Sequence, residues 1–164
     1  MEALLKKITE RQAKIGIVGL GYVGLPLALR FAEQGFKVVG FDSDENKVEL
    51  LKLGKSYIEH VGTGEIHTTK NSGFGPTNKV VRAGAGDPLF LCVPTPLTKH
   101  REPDLTYVLN TVESLKPYFR AGQLLSLEST TYPGNTEEEL KPRIEERGFV
   151  VGKDIFLVFS PERE

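Results

Sequence analysis

Cysteine occurs once in the 164 residues, apolar stretches are short, and no charge of one sign dominates. The single cysteine, Cys92, excludes an internal disulfide framework. Lying inside the apolar run Leu89 to Val93, it reads as a buried, inert thiol rather than a nucleophile. No run approaches the roughly 18 apolar residues of a membrane-spanning helix. The opening stretch Met1 to Lys7 already carries charges, so neither a span nor a secretory leader is expected, and the chain reads as cytoplasmic. The net charge is −1, and no basic run extends beyond Lys6-Lys7. That argues against a nucleic-acid or anionic-membrane partner. The three histidines, His60, His67 and His100, match no metal-ligand spacing, so solvent or structural roles are expected and no metal is predicted. The remainder, 26% charged and 39% hydrophobic, is the composition of an ordinary soluble globular protein, and the length predicts one domain.

Glycine, by contrast, is plentiful, and its placement is informative. Residues Lys14 to Asp42 read as one unit: an apolar strand, the turn Gly19-Leu20-Gly21-Tyr22-Val23-Gly24, an amphipathic helix, a second apolar strand and a terminal acid. Ile15, Ile17 and Val18 form the first buried strand, and Val38, Val39 and Phe41 the second. Between them Leu25, Leu27, Ala28, Phe31 and Ala32 recur at helical spacing, Pro26 falls in the tolerant first turn, and Gly35 stops the helix. This is a dinucleotide-binding βαβ unit. Gly19 permits the tight turn, Gly21 lets the backbone approach a pyrophosphate, and Gly24 lets helix and strand pack closely. The helix N-terminus supplies N–H groups and partial positive charge for the phosphates, alongside Tyr22 and Val23. Asp42 lies 18 residues beyond Gly24, near the spacing of about 20 expected of a carboxylate on the ribose 2′-hydroxyl. A 2′-phosphate would meet that carboxylate with only Lys47 as a nearby cation, so NAD is predicted over NADP.

Strands and helices continue to alternate. A lead-in helix is expected over residues 2–12, and a helix capped by Ser43 or Asp44 through about Leu53, closed by Gly54. Leu89 to Val93 reads as a strand broken by Pro94-Thr95-Pro96. It is followed by a polar loop and a helix from near Asp104 with Leu105, Val108, Leu109, Val112 and Leu115 on one face. Gln123 to Leu127 reads as a strand, Thr136 to Arg147 as a helix, and Ile155 to Phe159 as a last strand. The fold class is therefore α/β, a doubly wound parallel sheet of Rossmann type. Residues 62–88 break the rhythm: six glycines crowd a stretch with little periodicity where a strand and a helix are due, and Lys79 to Arg82 is the best strand candidate.

Five segments carry a family resemblance. They are Gly19 to Pro26, Cys92-Val93-Pro94-Thr95-Pro96-Leu97, Lys99 to Leu105, Glu128-Ser129-Thr130-Thr131-Tyr132-Pro133-Gly134, and Ser160-Pro161-Glu162-Arg163. Together they resemble the UDP-glucose/GDP-mannose dehydrogenase family, and within it the UDP-N-acetylglucosamine and UDP-N-acetylmannosamine 6-dehydrogenases. The resemblance covers roughly residues 12–61 and 89–164. It lapses over 62–88, as divergence of a surface loop or two compensating frame shifts in the encoding DNA would make it do. The resemblance implies the N-terminal NAD-binding domain of an enzyme that oxidises a nucleotide sugar at C6 from alcohol to carboxylate with two NAD⁺ and one water. It implies that Val93, Pro94 and Thr95 pass near the adenosine half of the cofactor. Thr130 and Glu162 then lie towards the nicotinamide and help position a water or proton relay for thioester hydrolysis. The family's nucleophilic cysteine belongs to a segment these 164 residues do not match, so the chain by itself is expected to bind cofactor without turnover; the full-length family chain is expected to be a homodimer. A stand-alone dinucleotide-binding module without catalysis is the competing reading.

Overall fold

The computed structural model describes residues 1–132 and 134–161. Its centre is a six-stranded, wholly parallel sheet in the order β3-β2-β1-β4-β5-β6. The strands are β1 (Lys14–Val18), β2 (Lys37–Phe41), β3 (Phe74–Thr77), β4 (Pro88–Leu91), β5 (Leu124–Leu127) and β6 (Phe156–Phe159). The order reverses between β1 and β4, and at such a switch point the loops leaving the carboxyl ends of the two strands part to open a crevice.

Side chains alternate faces along a strand, and the core divides accordingly. Ile15 and Ile17 of β1 pack with Leu25, Ala28, Leu29 and Ala32 of helix α2 (Gly24–Glu33). Val18 joins Leu89, Leu91, Leu125 and Leu127 with Val108, Val112 and Leu115 of helix α6 (Thr106–Leu115). The lead-in helix α1 (Glu2–Thr9) buries Leu4. Helix α3 (Glu45–Lys52) is capped as expected by Asp44, whose side chain accepts from the Asn46 N–H.

The segment 62–88 is not a loop. It forms helix α4 (Thr63–Asn71), edge strand β3 and the short helix α5 (Val80–Gly84). The strand expected at Lys79 to Arg82 is therefore helical from Val80, and the true strand precedes it, paired with β2 from Val38↔Phe74 to Phe41↔Thr77. Two features hide it. β3 contains Gly75 and Pro76, which an edge strand tolerates because one side of its ladder is free. In α4, Ile66 and Thr69 are the buried residues, too few to reveal a period. The expected helix from Thr136 opens instead as a π-helical turn, Thr136–Leu140, before α7 (Lys141–Glu145). Pro142 has no N–H to bond back to Glu138, which removes one α-helical bond at the join. Strand β4 stops at Leu91, two residues earlier than expected.

Away from the crevice, Asp87 ties the amino ends of the strands together. It is 6% exposed. One carboxylate oxygen accepts from the Lys14 N–H at 2.9 Å, the other from Lys7 Nζ at 3.0 Å and Arg120 Nη2 at 2.9 Å. Burial pushes its pKa up, but the Lys14 amide and the two cations outweigh that and hold it below the ordinary carboxylate value. A depressed folded pKa contributes stability that is present above the unfolded pKa and is lost as pH falls through the folded one. Lys7 and Arg120 are about half exposed, and screened pairs contribute little, so Asp87→Asn is expected to cost about 1 kcal/mol at neutral pH. In urea melts the variant should converge with the parent in acid below pH 4, the unfolded carboxyl titrating at about 3.9. A constant difference at all pH values would contradict the linkage.

Candidate functional site

At the switch point the strand ends enclose a cleft of about 840 Å³, within the size range of small-molecule sites. Its floor is the glycine-rich turn. Gly19 has φ +96°, and a Cβ there would lie 2.5 Å from the Cys92 carbonyl oxygen. A Cβ on Gly24 would lie 1.7 Å from the Gly19 carbonyl oxygen. A Cβ on Gly21 would meet nothing within 4 Å. Gly19 thus shapes the turn, Gly24 lets the turn close beneath the start of α2, and Gly21 is bare towards the cleft. No side chain caps α2. The first turn of a helix leaves N–H groups without intrahelical acceptors, and here Tyr22 and Val23 bring that turn to the cleft wall.

Asp42 follows β2 and is 9% exposed. Its Oδ2 accepts from the Leu20 N–H at 3.0 Å and its Oδ1 from the Asp44 N–H at 2.9 Å. Lys47 Nζ stands 3.8 Å from Oδ2. These contacts orient the carboxylate while leaving acceptor capacity for a hydroxyl donor. Asp42, Asp44 and Glu128 all line the cleft, with Lys47 as the one cation among the described lining residues. A phosphate monoester beside Asp42 and Asp44 would meet net negative charge.

The opposite wall follows β4 and β5. Thr95 Oγ1 donates to the Thr130 carbonyl at 2.7 Å, and the Ser129 hydroxyl donates to the Val93 carbonyl, so the two strand-end loops are stitched into one surface. Among the expected site residues, Gly19, Gly21, Tyr22, Val23, Asp42, Lys47, Val93, Pro94, Thr95 and Thr130 all line this one cleft. Gly24 does not; it is buried beneath, where it allows the turn to close. Glu162 lies outside the described residues. Cys92 corrects the expectation of a buried thiol: because β4 ends at Leu91, Cys92 is partly exposed and contributes to the cleft wall.

Sequence reasoning missed two groups. Helix α6 presents Tyr107, Asn110, Thr111 and Ser114 to the cleft. Their three- and four-residue spacing is the polar complement of the apolar face and was available as a signal. Tyr57, between α3 and α4, donates its hydroxyl to the Leu20 carbonyl. Burial, with Asp42 and Asp44 adding negative potential, pushes its pKa well above the ordinary tyrosine value, so it remains a donor. His60, His67 and His100 are exposed, and among the described residues no three His, Cys, Asp or Glu side chains converge to hold a metal.

Residues 13–164 match the UDP-glucose/GDP-mannose dehydrogenase family, NAD binding domain. The chain belongs to that family. The match runs through residues 62–88, where the sequence resemblance had lapsed. The chain is 35% identical over 154 residues to the UDP-N-acetyl-D-glucosamine 6-dehydrogenase of Pseudomonas aeruginosa, covering 93% of this chain and 36% of that protein. It is 38% identical over 155 residues to the UDP-N-acetyl-D-mannosamine dehydrogenase of Methanococcus aeolicus, covering 92% of this chain and 34% of that one. Its fold superposes on the UDP-N-acetyl-mannosamine dehydrogenase of Staphylococcus aureus with a TM-score of 0.87 at 34% identity, covering 92% of this chain and 36% of that chain. The chain therefore spans about a third of the length of these family members. It is an NAD-binding domain, and the bare Gly21, the uncapped helix and the oriented Asp42 fit that cofactor. Among the described residues no helix is long and apolar enough to cross a membrane.

Proposed function

We propose that this chain is the cofactor-binding domain of a cytoplasmic, NAD-dependent 6-dehydrogenase acting on a UDP-N-acetylhexosamine, homodimeric at full length. The observation that carries the reading is the convergence on one cleft of the glycine turn, Asp42 and the Thr95–Thr130 wall. The substrate class is supported by the names of the family members above, and the dimer rests on the family resemblance. When bound, NAD⁺ accepts hydride from the sugar carbon. In this reading the turn from Gly19 to Gly24 receives the pyrophosphate, and Asp42 accepts from the adenosine ribose. Val93, Pro94 and Thr95 line the adenosine half, and Thr130 faces the reacting end, where with Glu162 it orients the water or proton relay.

Calorimetric titration of the chain with NAD⁺ and, separately, with NADP⁺ tests this. Saturable NAD⁺ binding is expected, with NADP⁺ at least tenfold weaker because one unfavourable charge contact of about 1.4 kcal/mol suffices for that ratio. Equal affinity, or a preference for NADP⁺, would overturn the assignment of Asp42.

A further inference from the structure

The backbone of Leu20, in the glycine-rich turn, is held at both of its polar groups. Its N–H donates to Asp42 Oδ2 at 3.0 Å, and its carbonyl accepts from the Tyr57 hydroxyl. Lys47 closes the circuit: its Nζ lies 3.8 Å from Asp42 Oδ2 and 5.7 Å from the centroid of the Tyr57 ring. Leu20 itself is fully buried, so neither its N–H nor its carbonyl can turn to water for a substitute partner. Tyr57 is delivered in a set position by its neighbours. Ser56 Oγ donates to the Ile58 carbonyl at 2.8 Å and accepts from the Ile58 N–H at 3.1 Å, while the Ile58 side chain is anchored in the core.

We propose that Tyr57 is a positioning residue for the cofactor, fixing the Leu20–Gly21 peptide so that Gly21 and the start of α2 present their backbone to a pyrophosphate before it arrives. This rests on the dinucleotide reading of the cleft. Its physical content is preorganisation: a turn already in its binding geometry loses no ordering entropy when the ligand docks. The raised pKa keeps the hydroxyl in its donor form. Tyr57 touches no ligand in this scheme; it acts through Leu20.

Tyr57→Phe removes the hydroxyl and keeps the ring beneath Lys47. At a temperature where thermal melts show both proteins fully folded, NAD⁺ affinity by calorimetry is expected to fall about three- to tenfold, the value of one buried hydrogen bond. Adenosine, which has the ribose and base but no phosphate, should bind both proteins equally in NMR titrations, because Asp42 remains held by the Asp44 N–H and Lys47. A purely structural role would weaken both ligands alike or neither. Unchanged NAD⁺ affinity in the variant, or an equal loss for adenosine, overturns the positioning role. Failure of the parent chain itself to bind NAD⁺ would overturn the dinucleotide reading instead.

Discussion

Gly24→Ala is expected to destabilise the domain by at least about 3 kcal/mol, the upper end of ordinary overpacking. The methyl carbon would have to sit 1.7 Å from the Gly19 carbonyl oxygen and 3.1 Å from Cys92 Cβ, and the first of these is backbone that has no rotamer to change. Relief requires α2 to move away from β1, which opens the core made by Leu25, Ala28 and Leu29. For a domain of this size the loss corresponds to a fall in melting temperature of roughly 6–12 °C. NAD⁺ affinity should fall with it, since the turn and the helix start shift together. Gly21→Ala provides the contrast, because its Cβ meets nothing within 4 Å. It should melt close to the parent yet bind NAD⁺ weakly, as the methyl occupies space the cleft offers to the ligand. Equal melting temperatures for the two variants would contradict the division of labour between the glycines.

Asp42→Ala is expected to weaken NAD⁺ binding about tenfold to a hundredfold, the worth of a charge-assisted hydrogen bond. It also deprives the Leu20 and Asp44 amides of their acceptor, so part of the loss reflects a looser turn. Asp42→Asn separates the two effects in part. Its single amide oxygen can accept from only one of the Leu20 and Asp44 N–H groups, so the turn loosens less than in Asp42→Ala, while the negative charge opposing a 2′-phosphate is gone. The ratio of NADP⁺ to NAD⁺ dissociation constants should therefore narrow in Asp42→Asn, as measured by paired calorimetric titrations. An unchanged NAD⁺ affinity in both variants would remove Asp42 from the site.

Much of this site is local in the chain, and that is why it could be read. The glycine turn, α2 and Asp42 fall within Lys14 to Asp42, where strand and helix periodicities change at glycine boundaries. The polar face of α6 was legible in principle from the same periodicity that marked its apolar face. Cys92 was misplaced by two residues of strand length, since an apolar run does not say where pairing stops. Glu162 follows β6 in the sequence and lies outside the described residues.

Sequence alone determined the βαβ unit, the alternation that makes a parallel sheet, and the NAD-binding family, because each is written in short-range spacing or in motifs of a few adjacent residues. Tertiary structure decided what depends on partners distant along the chain. The hydroxyl of Tyr57 reaches a carbonyl 37 residues away. The four residues of β3, with a glycine and a proline among them, become a strand only because β2 offers a free edge in register. Local patterns record which residues prefer to be buried or turned, whereas long-range hydrogen bonds arise only when packing brings the donor and acceptor together.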